Sequence, residues 1–187
     1  FNELEQATVA FGQGISITPM QLVRAVCACV NGGTLYKPYL VDKIIDSYSN
    51  DIVYEHKPEA LRKVISEDAS KKMRDALESV VTDGGGKNAY IDGYRIGGKT
   101  GTAQKAVNGS YVDGGYILSF IGIAPIDDPK IVLYVAMDNP KNCVQYGGTT
   151  VAPIARKMLV DILPSMNVKK VSSQRQKAYT FMDTKTL

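Results

Sequence analysis

The 187-residue sequence predicts an α+β fold in which one antiparallel β-sheet is flanked by helices on both faces. Three observations carry that expectation. Between Gly97 and Met137 lie three β-rich runs joined by short, turn-rich connections, the pattern of an antiparallel meander. Before and after them come segments with apolar residues at helical spacing, each opened by a capping signal. The last β-rich run, Ile131 to Met137, is apolar almost throughout, which requires cover on both faces of the sheet.

Taken in order, Thr18-Pro19-Met20-Gln21 opens the first helix with capping-box spacing and proline at the first helical position. Leu22, Val23, Val26, Cys29 and Val30 form its apolar stripe, and Gly32-Gly33 stops it. Thr34 to Ile45 and Ile52 to His56 read as two strands of a hairpin turning at Asp46 to Asp51. Ser66 caps a second helix with Glu67 and Asp68 in its first turn. Ala69, Met73, Ala76, Leu77 and Val80 supply the core-facing period up to Asp83-Gly84. The sheet strands are expected at about Gly97 to Val107, Tyr116 to Ala124 and Lys130 to Met137, with a hairpin turn at Asn108-Gly109. A third helix follows Thr149-Thr150, carries Ile154, Met158, Leu159 and Ile162, and ends at Pro164. Residues 1–165 thus form one domain and 166–187 a basic tail or linker, without repeats.

Charge excludes one broad class of function. Net charge is +3, and Lys169, Lys170, Arg175, Lys177 and Lys185 in the tail outweigh it, so the body is close to neutral. No basic face for nucleic acid follows. No run approaches the roughly 20 apolar residues of a membrane span. The start, Phe1-Asn2-Glu3-Leu4-Glu5, lacks both an initiator methionine and a signal-peptide profile, which reads as a piece of something longer. Three cysteines cannot complete a disulfide framework. Cys27 and Cys29 lie about 200° apart around a helix and cannot bridge each other. Cys143 falls in a loop where a thiol can be exposed; it reads as incidental, with a reactive thiol or an externally completed metal ligand as the alternative. His56 reads as a surface residue.

The run Gly97-Gly98-Lys99-Thr100-Gly101-Thr102-Ala103-Gln104 fits two unrelated chemistries. From Gly93 it spells G-x-x-x-x-G-K-T, a phosphate loop. Such a loop needs a buried strand before it and a helix starting at its lysine, so that free amides face the phosphates. Here the upstream Asp83 to Asp92 is polar and glycine-rich, and the residues after Thr100 lead to an Asn-Gly turn. Strand, turn, strand is the reading, and the apolar run ending at Asp138 is a buried strand before a turn, not a Walker B aspartate. Read as Lys-Thr-Gly, the same residues are the third signature of serine acyl-transfer enzymes that attack D-alanyl peptides and β-lactams.

The second reading gains from residues elsewhere. Phe11-Gly12-Gln13-Gly14, Thr18 to Leu22, Asn31-Gly32-Gly33, Lys37-Pro38, Gly98 to Gln104, Ser119 to Pro125 and Tyr146-Gly147-Gly148 follow in an order that resembles the penicillin-binding transpeptidases. The resemblance covers nearly all of residues 1–165 and is nearest the monofunctional class B branch, in the stage V sporulation and division transpeptidase group. It implies the penicillin-binding, β-lactamase-like fold, incomplete at its N-terminal side. It also implies an enzyme on the extracytoplasmic face of the cell membrane, acting on the D-Ala-D-Ala end of peptidoglycan stem peptides and acylated by β-lactams. No cofactor and no metal are implied.

Residue by residue, the resemblance makes Lys99 the cation that positions a second-motif hydroxyl and supports proton movement. Thr100 and Thr102 would hold the carboxylate of substrate or antibiotic, and the Thr102 amide would form one arm of an oxyanion hole. Gly101 would let a substrate backbone approach an added-strand site, and Gln104, on the Thr102 face by alternation, is a further substrate contact. The nucleophile motif S-x-x-K is absent from the 187 residues. Ser165-Met166-Asn167 and Tyr48-Ser49-Asn50 match the second motif in the wrong order and in a predicted turn, and both read as chance. The partners implied are therefore the N-terminal half of the same domain, carrying the serine, and a membrane glycan polymerase. A β-lactamase or carboxypeptidase, and a non-catalytic sensor or scaffold on the same fold, remain as alternatives.

Overall fold

The computed structural model describes residues 2–10, 12–107 and 110–171. The Asn108-Gly109 turn and residues 172–187 lie outside the described residues.

A short helix, α1 (Glu3–Ala10), precedes α2 (Pro19–Val30). At the start of α2 the capping box is complete: the Thr18 amide donates to Gln21 Oε1 at 2.8 Å and the Gln21 amide to Thr18 Oγ1 at 3.2 Å. Asn31 ends it, and its Oδ1 accepts the Gly33 and Thr34 amides while Gly32 and Gly33 turn the chain at positive φ. The next helix, α3 (Glu67–Thr82), starts at Ser66, whose hydroxyl accepts the Ala69 amide at 3.1 Å.

The expected hairpin is more divided than its sequence suggests. β1 (Thr34–Tyr36) pairs with β4 (Ala60–Lys63), and β2 (Lys43–Ile45) pairs with β3 (Ile52–Glu55), in two separate two-stranded sheets. Lys37-Pro38 breaks the first run, since proline removes a ladder donor and restricts the residue before it. The turn itself is as expected: Asp46 Oδ1 accepts the Tyr48 and Ser49 amides, and Asn50 sits at φ 59°. Those bonds, Ser49 first and then Tyr48, hold the Asp46 carboxyl below the usual aspartate range. β4 escaped the sequence because Ala60-Leu61-Arg62-Lys63 has helical propensity, overridden by pairing with β1.

The main sheet has the order β5 (Gly97–Val107), β6 (Ser110–Ala124), β7 (Ile131–Asp138), antiparallel throughout. Its last helix, α5 (Ala152–Ser165), follows a single helical turn, α4 (Gly147–Thr150). On one face of the sheet Leu118, Phe120 and Ala124 join Ala155, Leu159 and Leu163 of α5 in the larger core cluster. On the other, Ile123 and Ile126 pack with Val26, Cys29 and Val30 of α2 and Leu77 of α3. Helices therefore cover both faces, as the apolar β7 required.

Two helices sit rotated from their expected faces. In α3 Ser70 and Val81 are buried while Met73 and Ala76 are exposed. The cause is polar: Ser70 Oγ accepts the Gly32 amide at 3.0 Å and Arg74 Nη1 donates to the Val30 carbonyl at 2.9 Å, so the end of α2 fixes the rotation of α3. In α5 Leu159 is buried and Ile162 half-buried, but Ala155 and Leu163 take the places expected for the exposed Ile154 and Met158. Pro164 lies inside the last turn of α5, one residue short of its end. Beyond it the tail residues still touch the domain: the Val171 amide donates to the Gly93 carbonyl at 2.8 Å and Lys170 lies over the Tyr94 ring. Among the described residues no helix is long and apolar enough to cross a membrane.

Phe120, fully buried between the sheet and α5, and Met73, 42% exposed on α3, give a contrast in stability. Phe120→Ala is expected to cost about 3–5 kcal/mol in urea unfolding of this chain, and Met73→Ala less than about 0.5 kcal/mol.

Candidate active site

β5 is an edge strand. One side pairs with β6 from Gly97↔Ile123 to Val107↔Ser110, and among the described residues no strand lies on the other. Lys99 thus projects from an extended ribbon whose open edge can accept another chain. A phosphate cradle is excluded, because the residues after Lys99 continue as strand instead of opening a helix. Asp138, the Walker B decoy, is exposed and ion-paired to Lys105 Nζ at 2.6 Å.

The register sorts the motif onto two faces. Lys99 and Gly101 stand opposite Ile121 and Ser119, while Thr100 and Thr102 stand opposite Phe120 and Leu118. Lys99 is exposed, and its Nζ donates to the Thr100 carbonyl at 2.8 Å. Thr100 and Thr102 are half-buried; the Thr102 hydroxyl accepts the Gly147 amide at 3.3 Å. Gln104 is exposed opposite Tyr116, just before a register shift between Gln104 and Ala106. Lys99, Thr100, Gly101, Thr102 and Gln104 are therefore brought together on one ribbon.

The root of that ribbon is held by charge. Arg95, 8% exposed, donates from Nε to Glu78 Oε1 at 2.7 Å and from Nη2 to Glu78 Oε2, a bidentate pair, with Asp127 at 3.9 Å from Nη1. Gly101 also has a packing role within the sheet. A Cβ there would run into the Ser119 hydroxyl, so the space is already filled from β6. Gly147, the second close approach, seats α4 against the carbonyls of Gly101 and Ser119.

Neither second-motif match joins the site. Ser165 Oγ donates to the Ile162 carbonyl at 2.7 Å and Asn167 sits at φ 56°, so that run finishes α5. Tyr48-Ser49-Asn50 forms the β2–β3 turn. Cys143 lies in the loop after β7, half-buried against the main core with Gln145 Nε2 3.8 Å from its sulfur. His56 is no plain surface residue: it is half-buried, stacked on Tyr39 at 3.7 Å, with Tyr54 Oη 3.3 Å from Nδ1. Burial pushes the Cys27 thiol up, partly opposed by a backbone hydrogen bond. Among the described residues no group of His, Cys, Asp and Glu could hold a metal ion.

Sequence reasoning passed over two contributors, Ser119 and Gly147. Adjacent glycines before a helix were the only local signal of a close approach.

Comparison with known proteins bears on family and fold. The family model described as the penicillin binding protein transpeptidase domain matches residues 1–160. Stage V sporulation protein D of Bacillus subtilis (strain 168) is 54% identical over 184 residues, covering 98% of this chain and 28% of that protein. The peptidoglycan D,D-transpeptidase FtsI homolog of Mesostigma viride is 32% identical over 180 residues, 90% of this chain and 30% of that protein. The solved apo transpeptidase domain of penicillin-binding protein 3 from Burkholderia pseudomallei superposes with a TM-score of 0.76 at 35% identity, covering 91% of this chain and 49% of that one. The chain thus spans less than a third of the length of these two curated relatives.

The filled space beneath Gly101 gives a paired test. Gly101→Ala is expected to cost about 1–3 kcal/mol in denaturant unfolding by overpacking, and Ser119→Ala in the same chain to restore most of that loss.

Proposed function

The chain belongs to the penicillin binding protein transpeptidase domain family, and from that membership we propose that it is the part of a serine D,D-transpeptidase that carries the Lys-Thr-Gly strand. The observation that carries this reading is the unpaired edge of β5 with Lys99 to Thr102 along it. A stem peptide ending in D-Ala-D-Ala lies along that edge as an added strand. A serine on the upstream part of the domain attacks the penultimate D-Ala carbonyl, the terminal D-Ala leaves, and an amine of a neighbouring strand takes the acyl group. β-Lactams acylate the same serine.

In this mechanism Lys99 is the cation beside the nucleophile; its exposure, without a carboxylate partner among the described residues, supports that role. Thr100 and Thr102 hold the substrate carboxylate, and the Thr102 amide is one arm of the oxyanion hole. A preorganised donor of that kind contributes roughly 3–4 kcal/mol to lowering the barrier. Gln104, further along the same face, contacts the peptide beyond the scissile bond. The partners are the upstream half of the domain and a membrane glycan polymerase, with the enzyme at the extracytoplasmic face of the cell membrane. The 54% identity to a sporulation protein, against 32% to a relative of the FtsI group, supports a sporulation role over a division role.

Mass spectrometry with a reporter penicillin tests the reading. The polypeptide comprising this segment and its upstream half is expected to gain one covalent adduct, on a serine outside residues 1–187. Lys99→Ala is expected to slow adduct formation about 100-fold or more. An adduct on the isolated 187-residue chain, or none on the complete polypeptide, would contradict it.

A further inference from the structure

The Thr102 hydroxyl is not a free group on the strand. It accepts the Gly147 amide at 3.3 Å across 45 residues of sequence, and among the described residues it donates to nothing. A threonine hydroxyl has one proton and two lone pairs. With the amide on one lone pair, the proton has to point elsewhere, and the carboxylate of an incoming ligand is an acceptor without a proton to offer.

What brings that amide to Thr102 is the absence of a side chain. A Cβ on Gly147 would stand 2.5 Å from the Gly101 carbonyl oxygen and 2.5 Å from the Ser119 carbonyl oxygen. Both are ladder backbone of β5 and β6, which cannot yield without disturbing the sheet. Gly147 is buried, and the turn around it is tied from several sides. The Thr149 and Thr150 amides donate to the Tyr146 carbonyl, Thr150 Oγ1 donates to the Val144 carbonyl at 2.6 Å, and Asn88 Nδ2 donates to the Gly148 carbonyl at 2.9 Å. The donor is therefore preorganised before any ligand arrives.

We propose that Gly147 is a positioning residue of this site: its amide holds the Thr102 hydroxyl as an acceptor, so that the hydroxyl proton is presented to the carboxylate of a peptide or β-lactam lying along β5. This rests on the reading of β5 as the ligand-binding strand. A methyl group at position 147 pushes the turn off the sheet, and the 3.3 Å contact is lost with it.

The test compares second-order acylation rates of the complete polypeptide with benzylpenicillin and with benzylpenicillin methyl ester, which lacks the anion. The unaltered protein is expected to prefer the free acid. Gly147→Ala is expected to reduce that preference about ten- to a hundred-fold, the effect of one hydrogen bond to a charged group. Thr102→Val should do the same, Thr102→Ser should keep the preference, and the Gly147→Ala/Thr102→Val double variant should lose no more than either single one. Equal slowing of acid and ester by Gly147→Ala, or additive losses in the double variant, would overturn the proposal while leaving β5 as the binding strand. No adduct from either compound on the unaltered protein would overturn the underlying reading as well. A second measurement does not depend on how Gly147→Ala folds. In glycine-selective 15N spectra, exchange protection of the Gly147 amide should survive Thr102→Ser and fall at least ten-fold in Thr102→Val; unchanged protection in Thr102→Val would refute the contact.

Discussion

The site depends on the register between β5 and β6. Side chains alternate along a strand, so a slip of one residue would exchange the two faces of β5 and carry Lys99 to the side now held by Thr100 and Thr102. The pairing is fixed by what β6 buries. Leu118 and Phe120 go into the core with α5, while Ile123 goes into the cluster with α2 and α3, and none can trade places without exposing large apolar surface. The chemistry of the motif is thus sorted by the packing of a neighbouring strand that carries none of it.

How much of this could be read from the sequence followed the range of the interaction involved. β5 came out with both its ends, Gly97 and Val107, because glycine density and alternation are local signals. The capping box of α2 and the serine cap of α3 were equally plain. What failed was decided at a distance. α3 turned its Ser70–Arg74 side inward because the end of α2, about 40 residues earlier, offered hydrogen-bond partners that no hydrophobic pattern records. β4 formed from a helix-prone tetrapeptide because β1 was there to pair with it. α1 follows Asn2, a capping residue type with Glu5 three positions on, a signal too short to stand out without an apolar stripe behind it.

The candidate site divides the same way. Lys99 to Gln104 are consecutive, so the motif and its strand were legible together. Gly147 was visible only as part of a glycine pair, because its contact with Thr102 spans the whole of β6 and β7. Gly101 has a packing role that its sequence does not announce: its missing side chain makes room for the Ser119 hydroxyl from within the fold. The partial burial of His56 is not legible because Tyr39, which stacks on it, lies 17 residues away in an irregular segment.

The Arg95–Glu78 pair at the foot of β5 constrains how this domain changes over generations. Removing Arg95 takes the bidentate partner from the Glu78 carboxylate, which is only 13% exposed, whereas removing Glu78 leaves Arg95 with Asp127 at 3.9 Å; replacing both with apolar residues of matching volume is often neutral. The order of change is thereby constrained: Asp127 cushions the loss of Glu78, and among the described residues no second cation cushions the loss of Arg95. Among descendants of this sequence, replacement of Glu78 should precede replacement of Arg95.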